Sequence, residues 1–207
     1  MYARTTTITA DPTRMDDGIA DVRDNVLPAV SDMEGCIGLS MLCDRDSGRC
    51  IVTTAWETEE AMAATRDRVK QMRARATEQF GGHDPQVQEW EIALVHRLHH
   101  AGDHACARVG WNRMDPGRAD EVLDAFRTRI MPRLDDMPGF CSFSLMVDRQ
   151  TGLGSLTAVY ADRAALDASR DQVTKMREAF AQQMGMEILE VAEFEVALHN
   201  LRVPELV

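Results

Sequence analysis

The sequence predicts an α+β protein made of two copies of one β-α-β-β-α-β unit, whose antiparallel sheets pack face to face as an intramolecular α+β barrel. Three observations carry this. The chain superposes on itself at a constant shift of 104 residues; apolar residues follow the same periodicities in the same order in each copy; and one such unit cannot cover both faces of its own sheet.

The repeat is plainest where EGCIGLSMLCDRDSG at 34–48 returns as PGFCSFSLMVDRQTG at 138–152. The same shift carries Arg4 onto Arg108, Asp11-Pro12 onto Asp115-Pro116, Pro28 onto Pro132, Met72-Arg73 onto Met176-Arg177 and Glu91 onto Glu195. Roughly three positions in ten agree without a gap, spread along the whole length, as an internal duplication leaves them.

Each copy opens on a strand, ARTTTIT or CARVGWNR, that ends at Asp-Pro, with Asp as N-cap and Pro in the first helical turn. Val122, Phe126, Ile130 and Leu134 then recur every fourth residue, matched by Ile19, Val22, Val26 and Val30, which gives the first helix one apolar face. Pro28 and Pro132 kink or tighten its last turn. Cys141, Phe143, Leu145 and Val147 alternate with smaller or polar neighbours, and DRQTG supplies turn chemistry before SLTAVY extends again, so this is a hairpin. Asp-Arg-x-Ser/Thr-Gly is therefore a turn first and a site second. Leu166, Val173, Met176, Phe180 and Met184, with counterparts Met62, Val69, Met72, Ala76 and Phe80, trace a second helix, and VQEWEIALV or VAEFEVALH closes each copy as a strand.

That order is the split unit of the ferredoxin-like fold. The expected organisation is a first repeat at 1–96, a polar connector at 97–104 and a second repeat at 105–207. The last strand of each unit lies beside the first, so Arg4 is expected to pair with Glu91, and Arg108 with Glu195, on the barrel-facing side. The expected state is a monomer with an internal pseudo-dimer, or a weak homo-oligomer.

The 207 residues carry a net charge of −11 and no long basic run, so nucleic acid and anionic lipid are not expected partners. No apolar run is long enough to cross a bilayer, and MYARTTTITADPTR has no secretory apolar core, which points to the cytoplasm. Arginine almost replaces lysine, whose only positions are Lys70 and Lys175, a bias typical of a GC-rich genome such as an actinobacterium's. The five cysteines form no CxxC pair and are expected as buried reduced thiols. Cys43 and Cys50 flank a hairpin and can face each other, but Val147 and Gly154 stand there in the second copy, which argues against a shared disulfide or metal role. His96, His99, His100 and His104 crowd the connector without a supporting Cys or carboxylate pattern, so no metal site is expected.

Pro-Gly-Phe at 138–140, Asp-Arg-x-Thr-Gly at 148–152 and AWETEEAM at 55–62 resemble the antibiotic biosynthesis monooxygenase family of dimeric α+β barrels, once per half. The resemblance implies the fold just derived and a small-molecule ligand or substrate. Family members that oxidise aromatic polyketides use neither metal nor flavin, so it implies no cofactor. Their Trp and Arg fall on Trp56 and Arg73, while their Asn and Tyr positions hold Val52 and Met62; in the second repeat the four positions hold Leu156, Tyr160, Leu166 and Arg177. The arginines are then the donors left to stabilise an enolate. The haem-degrading branch of the superfamily would place its helical Trp and axial His near Thr65 and Arg75, or Ser169 and Ala179, none a ligand, so no haem is expected.

The candidate catalytic residues are accordingly Trp56 or Tyr160, stacking on an aromatic or quinone-like substrate, and Arg73 or Arg177, holding an oxyanion. Candidate binding residues are Trp111 and Asn112, which stack and orient a planar ligand, and Arg66 and Arg170, on a similar helical face to the other arginines. The methionines at 62, 72, 114, 131, 137, 176 and 184 read as adaptable core lining. The leading reading is a cofactor-independent monooxygenase or related enzyme. Its rivals are a non-catalytic ligand-binding or stress-associated module and a structural protein of the same fold.

Overall fold

The structure is a computed structural model that describes residues 1–206. The first repeat runs β1 (Tyr2–Thr9), α1 (Met15–Asp21), α2 (Leu27–Ser31), β2 (Cys36–Cys43), β3 (Arg49–Trp56), α3 (Glu59–Ala64), α4 (Arg66–Gln79) and β4 (His83–Arg97). The second runs β5 (Cys106–Arg113), α5 (Ala119–Arg129), α6 (Met131–Asp135), β6 (Phe140–Val147), β7 (Leu153–Tyr160), α7 (Arg163–Ala168), α8 (Arg170–Met184) and β8 (Glu187–Leu201). Hydrogen-bonded neighbours follow the order β1-β3-β2-β8-β5-β7-β6-β4, which closes on itself as a barrel.

Local chemistry places the element ends where the sequence predicts them. Asp11 accepts from the Thr13 backbone N–H and Asp115 from that of Gly117, each capping a single 3-10 turn that starts on proline. The first helix of each repeat breaks before its proline. Residues Val22–Val26 form a π turn ahead of Pro28, and Ile130 separates α5 from α6 ahead of Pro132, because proline cannot donate to the carbonyl one turn back. In the hairpins, Asp148 accepts from the backbone of Gln150 and Thr151 and from the Thr151 hydroxyl. Gly152 then takes φ +74°, where an added Cβ would stand 2.0 Å from the Met114 carbonyl oxygen. The Asp-Arg-x-Ser/Thr-Gly phrase is a turn.

β4 and β8 are fifteen residues each, longer than the other strands, because each serves two ladders. The first part of β4 lies beside β1, and Glu91–Arg97 then pair with β6. β8 likewise lies beside β5 before Glu195–Leu201 pair with β2. One compact unit therefore comprises 1–90 with 195–203, and the other 91–194 with 204–206. This division differs from the linear repeats at 1–96 and 105–207, since the ladder a residue joins is chosen by pairing and not by its place in the repeat.

Each unit packs its helices over its own core. In the first, Met15, Val22, Val30, Leu39, Trp56, Met62 and Phe80 are buried together. In the second, Val122, Phe126, Ile130, Leu134, Phe143, Tyr160, Leu166 and Met176 are. The expected second helix is two helices in each unit, broken at Thr65 and Ser169. A buried arginine occupies each break. Arg4 donates to the Met62 carbonyl and the Thr65 hydroxyl, and Arg108 to the Leu166 carbonyl and the Ser169 hydroxyl, satisfying carbonyls that a helix end leaves open.

These contacts correct the expected pairs. Arg4 pairs with Glu89, at 2.7 Å, and Arg108 with Glu193, at 2.9 Å, both reaching toward the helices. Glu91 and Glu195 lie two residues further on, where β4 and β8 have begun their second ladders opposite Val147 and Cys43. There they meet the hairpin arginines: Arg149 joins Glu91 to Asp120, and Arg45 joins Glu195 to Asp16.

Candidate functional site

Both units hold an apolar cavity between helices and sheet, at equivalent positions. The cavity of the second unit has a volume of about 100 Å3 and that of the first about 50 Å3. The linings differ in both directions: Gly110, Ala158 and Ala181 of the second unit stand where the first has Thr6, Thr54 and Thr77, and Asn112 replaces Ile8, whereas Phe126, Ile130, Leu134 and Phe180 replace the smaller Val22, Val26, Val30 and Ala76.

Two arginines border each cavity, the strand arginine and one from the long helix: Arg4 with Arg73, and Arg108 with Arg177. The strand arginine is neutralised by its glutamate. The helical one has no ion pair among the described residues. Burial, then the like charge of Arg108, pulls the Arg177 guanidinium below its ordinary pKa, and burial with Arg4 does the same to Arg73. Arg177 Nη2 donates to the Thr174 hydroxyl at 3.3 Å, but its buried Nε–H meets no acceptor among the described residues. Asn112 Oδ1, on the sheet side of the same cavity, is also buried without a donor among the described residues. A buried group left unsatisfied costs about 1–3 kcal/mol, so a further hydrogen bond at either atom would be stabilising.

The remaining candidates are placed as follows. Trp111 borders the second cavity beside Asn112. Tyr160 is fully buried in the adjoining core, with the Arg108 guanidinium 5.7 Å from its ring centre, and does not border the cavity. Its hydroxyl meets no partner among the described residues. In the first unit Trp56 is fully buried, its indole N–H donates to the Thr54 hydroxyl at 3.1 Å, and it shares no cavity with Arg73. Thr54 has Ala158 as its counterpart. Arg66 and Arg170 are solvated and tied to Glu89 and Glu193 on the outside. The structure thus gathers Trp111, Asn112 and Arg177 at one cavity, Arg73 at the other, and neither Arg66 nor Arg170 at either.

Sequence reasoning overlooked Glu89 and Glu193, although they obey the same 104-residue shift as the arginines they neutralise. It read Phe180 only as part of an apolar helical stripe and set no role for Ile188, and both line the second cavity. His96 is held by Asp135 and Glu205, at 2.9 and 2.6 Å from its two ring nitrogens. No group of three or more His, Cys, Asp or Glu that could hold a metal occurs among the described residues.

The family model described as "Antibiotic biosynthesis monooxygenase" matches residues 1–77 and again 109–182. The chain belongs to the antibiotic biosynthesis monooxygenase family. Both family segments contain the cavity-bordering helical arginine, Arg73 or Arg177, and the second also contains Trp111 and Asn112. Two relatives are the uncharacterized proteins Rv2557 and Rv2558 of Mycobacterium tuberculosis, each 45% identical across the whole of this chain, which spans 92% and 88% of their lengths. Among solved structures, an anthrone oxidase-like protein superposes with a TM-score of 0.67 at 16% identity, over 96% of this chain and 92% of its own. A haem-degrading enzyme from Listeria monocytogenes superposes with a TM-score of 0.52 at 8% identity, over 93% and 98%. At these identities the likeness is one of fold. No helix among the described residues is long and apolar enough to cross a membrane.

Proposed function

We propose that the cavity of the second unit binds a planar, oxygenated aromatic molecule, with an anionic or carbonyl oxygen against the Arg177 Nε–H and a ligand hydroxyl donating to Asn112 Oδ1. The observation that carries this reading is the pair of buried polar groups without a partner among the described residues, one donor on the helix side and one acceptor on the sheet side of one largely apolar cavity. An anion there would relieve the Arg177 charge, which burial and Arg108 disfavour. The cavity's volume suits one small ring; a larger ligand enters by moving Met176, Met186 and Phe180, two of which are adaptable thioethers.

Under this reading the site works as a cofactor-independent monooxygenase: Arg177 stabilises the enolate or phenolate of the substrate, whose own electrons reduce dioxygen. The superposition with an anthrone oxidase-like protein supports the class of substrate. One observation favours binding without turnover. The cavity lining includes no Asp, Glu or His to take the proton, so the ligand must arrive already ionised.

Thermal-shift titration with hydroxylated anthrones and quinols tests the site, and oxygen uptake tests the reaction. The expected result is a raised midpoint for the wild type and for Arg73→Met, and none for Arg177→Met. Oxygen consumption beyond one equivalent assigns the enzyme; a shift without it assigns the binding module. A shift that Arg73→Met abolishes and Arg177→Met retains moves the site to the first unit, and no shift in any protein overturns the reading.

A further inference from the structure

Cys43 and Cys50 are directly opposed in the β2–β3 ladder, on the rung next to the hairpin turn. The backbone N–H of Asp44 donates to the Arg49 carbonyl, so the rung of Cys43 and Cys50 is the non-hydrogen-bonded kind, in which Cα atoms stand about 4.5 Å apart and side chains approach most closely. Their sulfurs are 3.2 Å apart and both residues are buried reduced thiols. A disulfide needs Cα atoms about 4.4–6.8 Å apart and sulfurs at about 2.05 Å, which side-chain rotation alone can reach from here.

Packing does not require thiols at this rung, since the second repeat fills it with Val147 and Gly154. That repeat uses the space differently. Gly154 lies opposite Asn112, and a Cβ on it would stand 2.6 Å from Asn112 Oδ1, so the missing side chain accommodates the cavity's amide. In the first repeat the same cross-strand neighbours are Ile8 and Cys50. One repeat devotes the rung to a ligand pocket, the other to a thiol pair.

We propose that Cys43 and Cys50 form a peroxide-reactive dithiol, oxidised by a hydroperoxide to an intramolecular disulfide, independently of the ligand reading of the second unit. Either thiol can attack the peroxide, with the other 3.2 Å away to close the bond. Contact with Cys43 lowers the Cys50 thiol pKa against the opposing effect of burial, with Arg45 adding a favourable charge, while the same contact and burial raise that of Cys43. When Cys50 attacks hydrogen peroxide, an S–O bond forms, the O–O bond breaks, and the departing oxygen leaves as water with the proton of the thiol. The Cys43 sulfur then attacks the sulfenic acid; the S–S bond forms, the S–O bond breaks, and a second water leaves with the Cys43 proton. Two thiols lose two electrons and one peroxide becomes two waters. The exposed turn at 45–47 gives a small oxidant access by opening the end of the hairpin.

The test is alkylation and mass spectrometry of the native full chain after hydrogen peroxide. Arg45 and Arg49 lie between the two cysteines, so trypsin separates them and the disulfide appears as one cross-linked pair of peptides. Alkylatable cysteines are expected to fall from five to three, with Cys36, Cys106 and Cys141 unchanged. Cys43→Val, which takes the residue of the second repeat, is expected to stop at the Cys50 sulfenic acid, trapped by dimedone, and Cys50→Ser at that of Cys43. Five alkylatable cysteines at a peroxide dose that oxidises a free-thiol standard would overturn the proposal. So would a bridge to any other cysteine, or sulfinic acid at Cys50 with Cys43 still free.

Discussion

Arg108 donates through both Nε and Nη2 to one carboxylate oxygen of Glu193, at 3.1 and 2.9 Å, while its remaining nitrogen reaches the Ser169 hydroxyl in the helix break. Glu193 also receives Arg163 and Arg170, so the two partners are not equally dependent on each other.

The asymmetry sets the order of two substitutions. Glu193→Ala leaves the buried Arg108 charge without its counter-ion and is expected to cost about 3 kcal/mol. Arg108→Met leaves a glutamate that two solvated arginines still neutralise and is expected to cost less. Chemical denaturation of both variants checks the order, and equal losses would mean the buried cation does not depend on Glu193.

Acid should act on the equivalent pair of the first unit. Burial raises the Glu89 pKa, but Arg66 and Arg4 together outweigh it and hold the carboxyl below its ordinary value of 4.5. A carboxylate depressed in the folded state contributes stability that is complete above its unfolded pKa and is lost as pH falls through the folded one. Glu89→Gln is therefore expected to be less stable than wild type at neutral pH and to lose less on acidification below about 4.5. Unfolding midpoints measured from neutral pH to pH 3 or so test this; parallel curves for the two proteins would refute it.

Asn112→Leu should separate stability from binding. It replaces an amide whose buried Oδ1 is unpartnered with an apolar group of similar size, and is expected to stabilise the free protein by about 1 kcal/mol. The same change removes the acceptor proposed for the ligand's hydroxyl, so the ligand-induced thermal shift should shrink. A destabilised variant, or an undiminished shift, would show that Asn112 is satisfied in some other way.

The architecture was legible because it rests on local rules written twice. Asp-Pro at 11–12 and 115–116, the four-residue spacing of Val122, Phe126, Ile130 and Leu134, and the hairpin glycines each declare their element within a few residues, and a shift of 104 repeats the declaration. The breaks at Thr65 and Ser169 were not legible, because they are made by Arg4 and Arg108, which stand 61 residues away along the chain. The partners of those arginines were missed by two residues for a related reason. Glu89 and Glu91 look alike in sequence, and only the point at which β4 moves from the β1 ladder to the β6 ladder tells them apart.

By itself, then, the sequence determined the β-α-β-β-α-β order, its duplication and the family, since periodicity and turn chemistry act between near neighbours. Tertiary structure decided which of the candidate residues meet. It put Trp56 in a dry core with its N–H already satisfied and Arg66 and Arg170 in solvent, and it set Arg177 and Asn112, 65 positions apart, at one cavity with hydrogen-bonding groups open among the described residues. Whether a polar group is satisfied is a property of its distant neighbours in space, and strand register and helix packing choose those neighbours.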